Sequence, residues 1–294
     1  MATQSLEPHE LRLRFVPAEE VALHEETDTA RVQRIRAALD NDGVLRNPPI
    51  IGRLDHVNSN VLPYTVLDGA TRTTALKLMG ARDILVQEVP YGGSDGVELQ
   101  AWYHVLPVTA AKKVIEAVEA GSHPASIVER TTLARASEAL RMFQAGVQGR
   151  ACAAIVRGED DVLLLHPSGP DISTPRVLRE LVALYGGSGE IYRIVHDDLI
   201  STVRGAAECP AIVMFPSFSP ENIVYSAKEA DLLPAGITRH IIPGRVLNLN
   251  ISLHLLMAST PIEEKNAWLH DVVTSKILAR KVRYYHEPVF VFDD

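Results

Sequence analysis

The segment from residue 66 to residue 89 constrains the fold of this chain more than any other. It reads Val-Leu-Asp-Gly-Ala-Thr-Arg-Thr-Thr-Ala-Leu-Lys-Leu-Met-Gly-Ala-Arg-Asp-Ile-Leu-Val-Gln-Glu-Val. Two apolar runs typical of buried strands flank a helical pattern, and glycine marks both turns. Gly69 permits a tight turn directly before a helix. The segment therefore predicts a strand, a helix from about residue 70 that Gly80 ends, and a second strand.

The start of this helix is a candidate phosphate site. The backbone N–H groups of Ala70, Thr71 and Arg72 begin the helix and have no partners within it. Together with the helix dipole and the guanidinium of Arg72, they suit a phosphate group. An ordinary strand-to-helix turn with a surface arginine would have the same local sequence. The turn by itself leaves both interpretations open.

Composition limits the class of protein. The chain has 294 residues, of which 46% are hydrophobic, enough for one large domain or two ordinary ones. Its formal charge of −8 argues against a protein that mainly coats nucleic acid. Cys152 and Cys209 form neither a disulfide framework nor a pattern of metal ligands. Because no apolar stretch has the length of a membrane span and the N-terminus has no apolar signal core, we expect a soluble cytoplasmic protein.

Hydrophobic periodicity predicts two units. The pattern predicts an α+β unit of short strands and helices over residues 1–107. It predicts a second, α/β unit over residues 108–294. In the first unit we expect a strand over residues 50–54 and a helix over residues 29–40 that ends at Gly43. In the second unit we expect a helix over residues 110–120 with Thr109 as its N-cap. Helical stretches are also predicted within residues 124–145 and over residues 247–257.

Several short motifs of this chain, and the order in which they occur, resemble those of a known family. The strand–Asp-Gly-x-x-Arg–helix–Gly-Ala–strand pattern resembles the ParB N-terminal/sulfiredoxin-like fold, whose members hold nucleotide phosphates at a Gly-x-x-Arg helix start. His24-Glu25, Trp102-Tyr103 and the Thr-Arg-His-Ile-Ile-Pro run of residues 238–243 follow the order found in ParB-like free L-serine kinases. That family includes siderophore-cluster proteins that form phosphoserine. The resemblance covers roughly residues 10–257.

The resemblance implies an α+β fold with a ParB/sulfiredoxin-like N-terminal domain, a second α/β domain and an active-site cleft between them. It implies a kinase that transfers a phosphoryl group from ADP or ATP to the hydroxyl of free L-serine or a close analogue. Mg²⁺ would enter with the nucleotide, and no protein ligand for a metal is assigned. Neither a membrane nor a nucleic acid is expected as a partner.

The resemblance also implies roles for particular residues, matched position by position. The catalytic residues would be Glu25 as the base and Asp68 as a second carboxylate or metal helper. The remaining matches are Gly69, Ala70, Thr71 and Arg72 for the nucleotide phosphates, and Trp102, Thr238, Arg239 and His240 for the amino acid. Ala70 and Thr71 replace the two histidines of the family's Asp-Gly-His-His-Arg motif. The choice between ADP and ATP therefore stays open.

Other interpretations of these residues remain. Trp102 also suits packing at a junction of two units, and Thr238 also suits a helix cap. Arg239 and His240 also suit a structural ion pair. A repair enzyme of the sulfiredoxin type is set aside, because no cysteine stands beside the phosphate motif.

A ParB-type DNA-binding regulator is the alternative from another functional class. Its support would be a helix-turn-helix within residues 124–145. The net charge opposes it, as do the scattered arginines Arg130, Arg135 and Arg141, which lie among glutamates.

Overall fold

A computed structural model describes residues 8–54, 64–93, 96–121, 123–145, 151–187, 191–205 and 211–285. Cys209 lies outside these ranges, whereas Cys152 is a buried free thiol. Within the described ranges, no helix has both the length and the apolar character that a bilayer-spanning segment requires.

The first part of the chain builds one mixed sheet with two helices. In chain order its elements are β1 (Leu13–Pro17), β2 (Val21–Leu23), α1 (Thr29–Asp42), β3 (Val44–Leu45), β4 (Ile50–Leu54), β5 (Tyr64–Asp68), α2 (Ala70–Leu78), β6 (Asp83–Tyr91) and β7 (Glu98–Ala101). The sheet has the order β1-β6-β4-β5-β2. Its β2–β5 and β4–β6 pairs are parallel, and its β1–β6 and β4–β5 pairs are antiparallel.

The motif of residues 66–89 folds as predicted. β5 ends at Asp68, Gly69 adopts a φ of 90°, and α2 begins at the next residue. Gly80, at a φ of 87°, follows the helix before β6 begins. The predicted helix of residues 29–40 is also confirmed as α1, which Gly43 ends in the left-handed conformation.

The second part of the chain builds a larger sheet and most of the helices. Its elements are β8 (Tyr103–Leu106), α3 (Val108–Glu119), β9 (Ala125–Thr131), α4 (Leu133–Arg141), β10 (Ala153–Gly158), β11 (Asp161–Pro167), α5 (Thr174–Ala183), β12 (Tyr192–Ile194), α6 (Leu199–Gly205), β13 (Ala211–Met214), α7 (Pro220–Glu229), β14 (Thr238–Ile241), β15 (Ile251–Ser252), α8 (Leu253–Met257) and α9 (Ile262–Leu278). The six-stranded sheet has the order β12-β8-β13-β10-β11-β9. All of its described pairings are antiparallel, so this unit is α+β rather than the expected α/β.

The helical stretch predicted within residues 124–145 is confirmed as α4. Strand β9 precedes α4 and pairs with β11, so the described residues of this stretch contain no helix-turn-helix. Two local predictions are wrong. Helix α3 begins at Val108 after Pro107, so Thr109 lies inside it and is not its N-cap. The expected helix over residues 247–257 is reduced to α8, because Ile251 and Ser252 pair with β3.

The C-terminal segment packs on the first sheet. Helix α9, which the sequence analysis did not predict, buries Leu269 and Val273 in the same apolar cluster as Phe15 and Leu85. Conversely, β8 belongs to the second sheet. The packing therefore differs from the expected division at residue 107: the chain leaves the first unit before β8 and returns to it after β14.

A short ribbon and a shared core join the two units. β7 pairs with β14 in an antiparallel two-stranded ribbon, in which Ala101 is opposite Thr238. In addition, Ile50, Leu67 and Tyr91 of the first sheet share an apolar cluster with Ile223 of α7. The ribbon and the end of β5 border a cleft.

Candidate active site

One cleft of about 790 Å³ contains every candidate residue in its walls. These residues are Glu25, Asp68, Gly69, Ala70, Thr71, Arg72, Trp102, Thr238, Arg239 and His240. They come from segments more than 200 residues apart along the chain. The fold thus brings together in space what the sequence offered only as separate motifs.

The start of α2 forms one wall of the cleft. The first backbone bond of the helix runs from Thr73 N to Gly69 O at 2.9 Å, so the preceding N–H groups lie outside the helical ladder. Glycine is required at residue 69, since a Cβ atom would lie 3.1 Å from Pro49 Cα and 2.8 Å from Arg72 Nη2. This corner has the geometry of an anion site at a helix start.

Asp68 lies between two arginines in this wall. Its Oδ2 accepts hydrogen bonds from Arg72 Nη2 at 2.9 Å and from Arg245 Nη1 at 2.6 Å. Burial lowers the pKa of Arg72; Asp68 opposes that shift, while Arg245 and Arg31 add to it. Three guanidinium groups therefore act on one corner, which gives it a positive potential suited to phosphates.

Glu25 is fixed where the two units meet. It follows β2, and its Oε2 accepts a hydrogen bond from Gly236 N at 3.2 Å. The backbone on either side is held by Leu233, whose N donates to His24 O and whose O accepts from Glu26 N, both at 2.8 Å. The carboxylate is therefore placed by backbone contacts from the second unit.

His24 and Thr238 connect the first sheet to the ribbon. His24 Nδ1 lies 2.7 Å from Val66 O, which can only accept, so this nitrogen carries the proton and Nε2 accepts from the Thr238 hydroxyl at 3.0 Å. Burial lowers the pKa of His24, which keeps the ring neutral. Thr238 begins strand β14, so it does not cap a helix.

Arg239 and Trp102 lie next to each other at the ribbon. The guanidinium carbon of Arg239 is 4.8 Å from the centroid of the Trp102 ring, and its Nη1 donates to Gln100 Oε1 at 2.9 Å. These contacts are with an aromatic face and a neutral amide. They orient the planar fork and leave its charge for an acidic ligand.

His240 is enclosed by protein partners. Its Nε2 lies 3.1 Å from the Tyr91 hydroxyl, and a hydrogen bond also joins the ring to the Leu67 backbone. Burial, and then the nearby His24, hold the pKa of His240 well below its usual value. A neutral ring held by these partners is a fixed part of the cleft wall.

Sequence reasoning missed several lining or supporting residues. They are Arg31, Tyr91, Gln100, Arg193 and Arg245. Arg245 comes two residues after the 238–243 run, and that proximity is the signal that would have identified it. Among the described residues, no group of three His, Cys, Asp or Glu side chains is placed to hold a metal ion.

Comparison with known proteins gives a consistent picture of the fold. No family model matches the chain. SbnI of Staphylococcus aureus (strain NCTC 8325 / PS 47), described as an ATP-dependent L-serine kinase, is 23% identical over 284 residues, which cover 96% of this chain and 97% of SbnI. The structure of SbnI with a C-terminal truncation superposes with a TM-score of 0.65 over 93% of this chain and 98% of that one.

A free serine kinase in complex with AMP is 16% identical and has a TM-score of 0.65, over 87% of this chain and 98% of that one. The chain has the fold of the free serine kinases. A variant free serine kinase with a glutamate-to-alanine substitution, in complex with ADP, is 14% identical and has a TM-score of 0.63, over 87% of this chain and 96% of that one. The expected mixed α+β fold is confirmed, and its assignment to the ParB/sulfiredoxin-like superfamily stays a prediction.

Proposed function

We propose that this protein is a kinase that transfers a phosphoryl group from ADP or ATP to the hydroxyl of free L-serine or a close analogue. The observation that carries the proposal is the convergence of Glu25, Arg72 and Arg239 on one cleft. These residues supply a base, a phosphate clamp and a carboxylate clamp, which phosphoryl transfer to an amino acid requires. The likeness to an L-serine kinase along nearly the whole chain supports the same activity.

The donor would bind at the start of α2. Backbone N–H groups of Ala70 and Thr71 and the guanidinium groups of Arg72 and Arg245 offer hydrogen bonds to its phosphates. Ala70 has no polar side chain, so at that position only the backbone can contribute. The arginines would also stabilise the charge that develops on the leaving phosphate.

The acceptor would bind at the ribbon. Arg239 would pair with the serine carboxylate, and Trp102 would form the side of the pocket against which Arg239 is oriented. Glu25 would take the hydroxyl proton as the new oxygen–phosphorus bond forms. The bond to the donor's leaving phosphate breaks in the same transfer, giving AMP from ADP or ADP from ATP.

Mg²⁺ fits the oxygen donors of this cleft. Carboxylates of Glu25, Glu26, Asp28 and Asp68 line it, and Mg²⁺ in kinases commonly binds one or two carboxylates together with substrate phosphates. Asp68 would hold the ion through the oxygen that neither arginine contacts. When bound with the nucleotide, Mg²⁺ would neutralise part of the phosphate charge.

A direct assay tests the proposal. Purified protein is incubated with Mg²⁺ and L-serine, with ADP in one arm and ATP in the other, and O-phosphoserine is measured by phosphorus NMR. We expect product in at least one arm, with D-serine and serine-free mixtures as controls. Absence of O-phosphoserine in both arms contradicts the proposal.

The cytoplasmic location stays a prediction.

A further inference from the structure

A second pocket of about 600 Å³ lies where α9 meets strands β1, β6 and β4 of the first sheet. Residues at β1, at the ends of β4 and β6, and on α9 line it, and none of them lines the active-site cleft. Its polar residues include Arg12, Arg14, Arg53 and Glu88. The kinase proposal uses none of these residues.

The pocket carries a surplus of positive charge. Among its described lining residues, Glu88 is the one carboxylate, and its Oε2 pairs with Arg14 Nε at 2.8 Å. Arg12 and Arg53 add two further cations in a protein whose formal charge is −8. Like charges that line one pocket repel each other, and an anion bound between them would offset that repulsion.

Tyr64 orients two of the arginines. The Arg53 guanidinium carbon lies 3.7 Å from the centroid of the Tyr64 ring, and that of Arg14 lies 5.1 Å from the same centroid. Arg14 also donates to the Tyr64 hydroxyl. Arg53 Nε is buried and has no hydrogen-bond partner among the described residues. The two planar groups are therefore held in place before any ligand arrives, which lowers the entropic cost of binding.

Apolar residues also line the pocket. They are Leu13 of β1, Val89 and Pro90 of β6, and Leu269 and Val273 of α9. The two α9 residues are almost fully buried and lie in a wall that also contains Asn266 and His270. Asn266 holds β1 by accepting a hydrogen bond from Phe15 N at 2.7 Å. A ligand with charge alone would leave the apolar residues unused, whereas a ligand with an apolar group beside its charge would contact them as well.

We propose that this pocket binds a small organic anion that carries two negative charges beside an apolar group. Phosphate monoesters and dicarboxylates share that chemistry. The arginine forks would take the charged oxygens by paired hydrogen bonds, and the apolar residues of β1, β6 and α9 that line the pocket would contact the apolar group. The site is separate from the cleft, so it stands independently of the kinase proposal.

Calorimetric titration of the full chain tests this site. Phenyl phosphate and phthalate are the two probes, and inorganic phosphate and benzyl alcohol supply the charge alone and the apolar group alone. We expect one or both probes to bind more tightly than either partial ligand. Which probe binds better distinguishes the phosphate from the carboxylate source.

Variants locate the binding. Arg53→Gln should weaken the probe about tenfold, the effect expected for one charge-assisted contact. Arg12→Gly should weaken it too, although it relieves the backbone strain of Arg12, whose φ is 48°. Arg176→Gln, at an exposed arginine of α5, and Arg72→Ala in the cleft should leave probe affinity unchanged. Circular dichroism checks that each variant is folded.

The proposal is overturned if neither probe binds the wild-type chain at millimolar concentration. It is also overturned if Arg72→Ala abolishes probe binding while Arg53→Gln and Arg12→Gly keep it, because the probe would then occupy the cleft.

Discussion

The two walls of the cleft are built in different ways. One wall, residues 68–72, is a single turn in which Asp68, Gly69 and Arg72 are neighbours in sequence, and its shape follows from the helix start. The other wall, residues 238–245, is held by partners far along the chain. Thr238 bonds to His24, Arg239 to Gln100 and Arg245 to Asp68. The first wall is a local structure, whereas the second exists only once the whole fold has formed.

The largest effect is expected at Glu25, where the two walls meet. Glu25→Gln keeps the size of the side chain and removes its ability to take a proton, so kcat should fall about 10²- to 10⁴-fold. Nucleotide affinity, measured by calorimetry, should change less than about threefold, because the phosphate corner is intact. Glu20→Gln, at an exposed glutamate, is the matched control. Normal turnover of the Glu25→Gln enzyme would show that Glu25 is not the catalytic base.

The next effect separates an arginine of the local wall from one of the distant wall. Arg72→Ala should weaken nucleotide binding roughly 10- to 100-fold, because it removes a charge-assisted contact and leaves Asp68 with one partner fewer. Arg245→Ala should weaken it less, because the Arg245 side chain is more exposed than that of Arg72. Calorimetric affinities for ADP and ATP provide the measurement. If both variants lost the same nucleotide affinity, the local and the distant wall would contribute equally to phosphate binding, which would contradict this prediction.

A smaller effect is expected for the acceptor. Arg239→Ala should raise the KM for L-serine about tenfold and change kcat little, because it removes a contact with the carboxylate rather than with the transferred group. Ethanolamine, which lacks the carboxylate, provides the control substrate. The preference of the wild-type enzyme for serine over ethanolamine should shrink in the variant. An unchanged preference would place the carboxylate elsewhere.

A separate effect, on stability rather than on activity, depends on pH and on the buried histidines that support the cleft. Burial lowers the pKa of His104, which bonds to the Gly236 carbonyl, to about 4, and shifts His24 and His240 in the same direction. The unfolded chain, with histidine near 6.5, binds more protons than the folded one between these values. Stability should therefore be constant above about pH 7 and fall as the pH drops from 6.5 toward 4.

The shift of His104 alone corresponds to about 3 kcal/mol of unfolding free energy, lost as the pH approaches 4. Guanidinium unfolding at pH 8, 6.5 and 5 provides the measurement, and His104→Gln should reduce the slope below pH 6.5. An equally steep slope in His104→Gln would assign the pH dependence to other groups.

The features that the sequence predicted correctly are local ones, and those that it missed depend on contacts between distant parts of the chain. The 66–89 motif and the cap at Gly43 were predicted because glycine conformation and hydrophobic period act over a few residues. Arg245 and Tyr91 were not, since their importance depends on Asp68 and His240, which only folding brings near. The resemblance to a family located Arg239 without explaining its position. Helix α9 was missed because its hydrophobic residues show only a weak helical periodicity. Its buried residues are covered by the first sheet, which is far away along the chain.

The ribbon of β7 and β14 makes the second unit a nested insertion. Ala101 and Thr238 are antiparallel partners, so their Cα atoms lie roughly 5 Å apart, and a short turn would span them. Everything between them could be excised without stretching the chain. Excision would nevertheless expose Ile50, Leu67 and Tyr91, which α7 helps to cover. The connectivity of the chain would therefore allow the inserted module to be removed, but the apolar contacts between the two units stabilise both of them. Neither part can be studied alone unless the lost apolar cover is replaced.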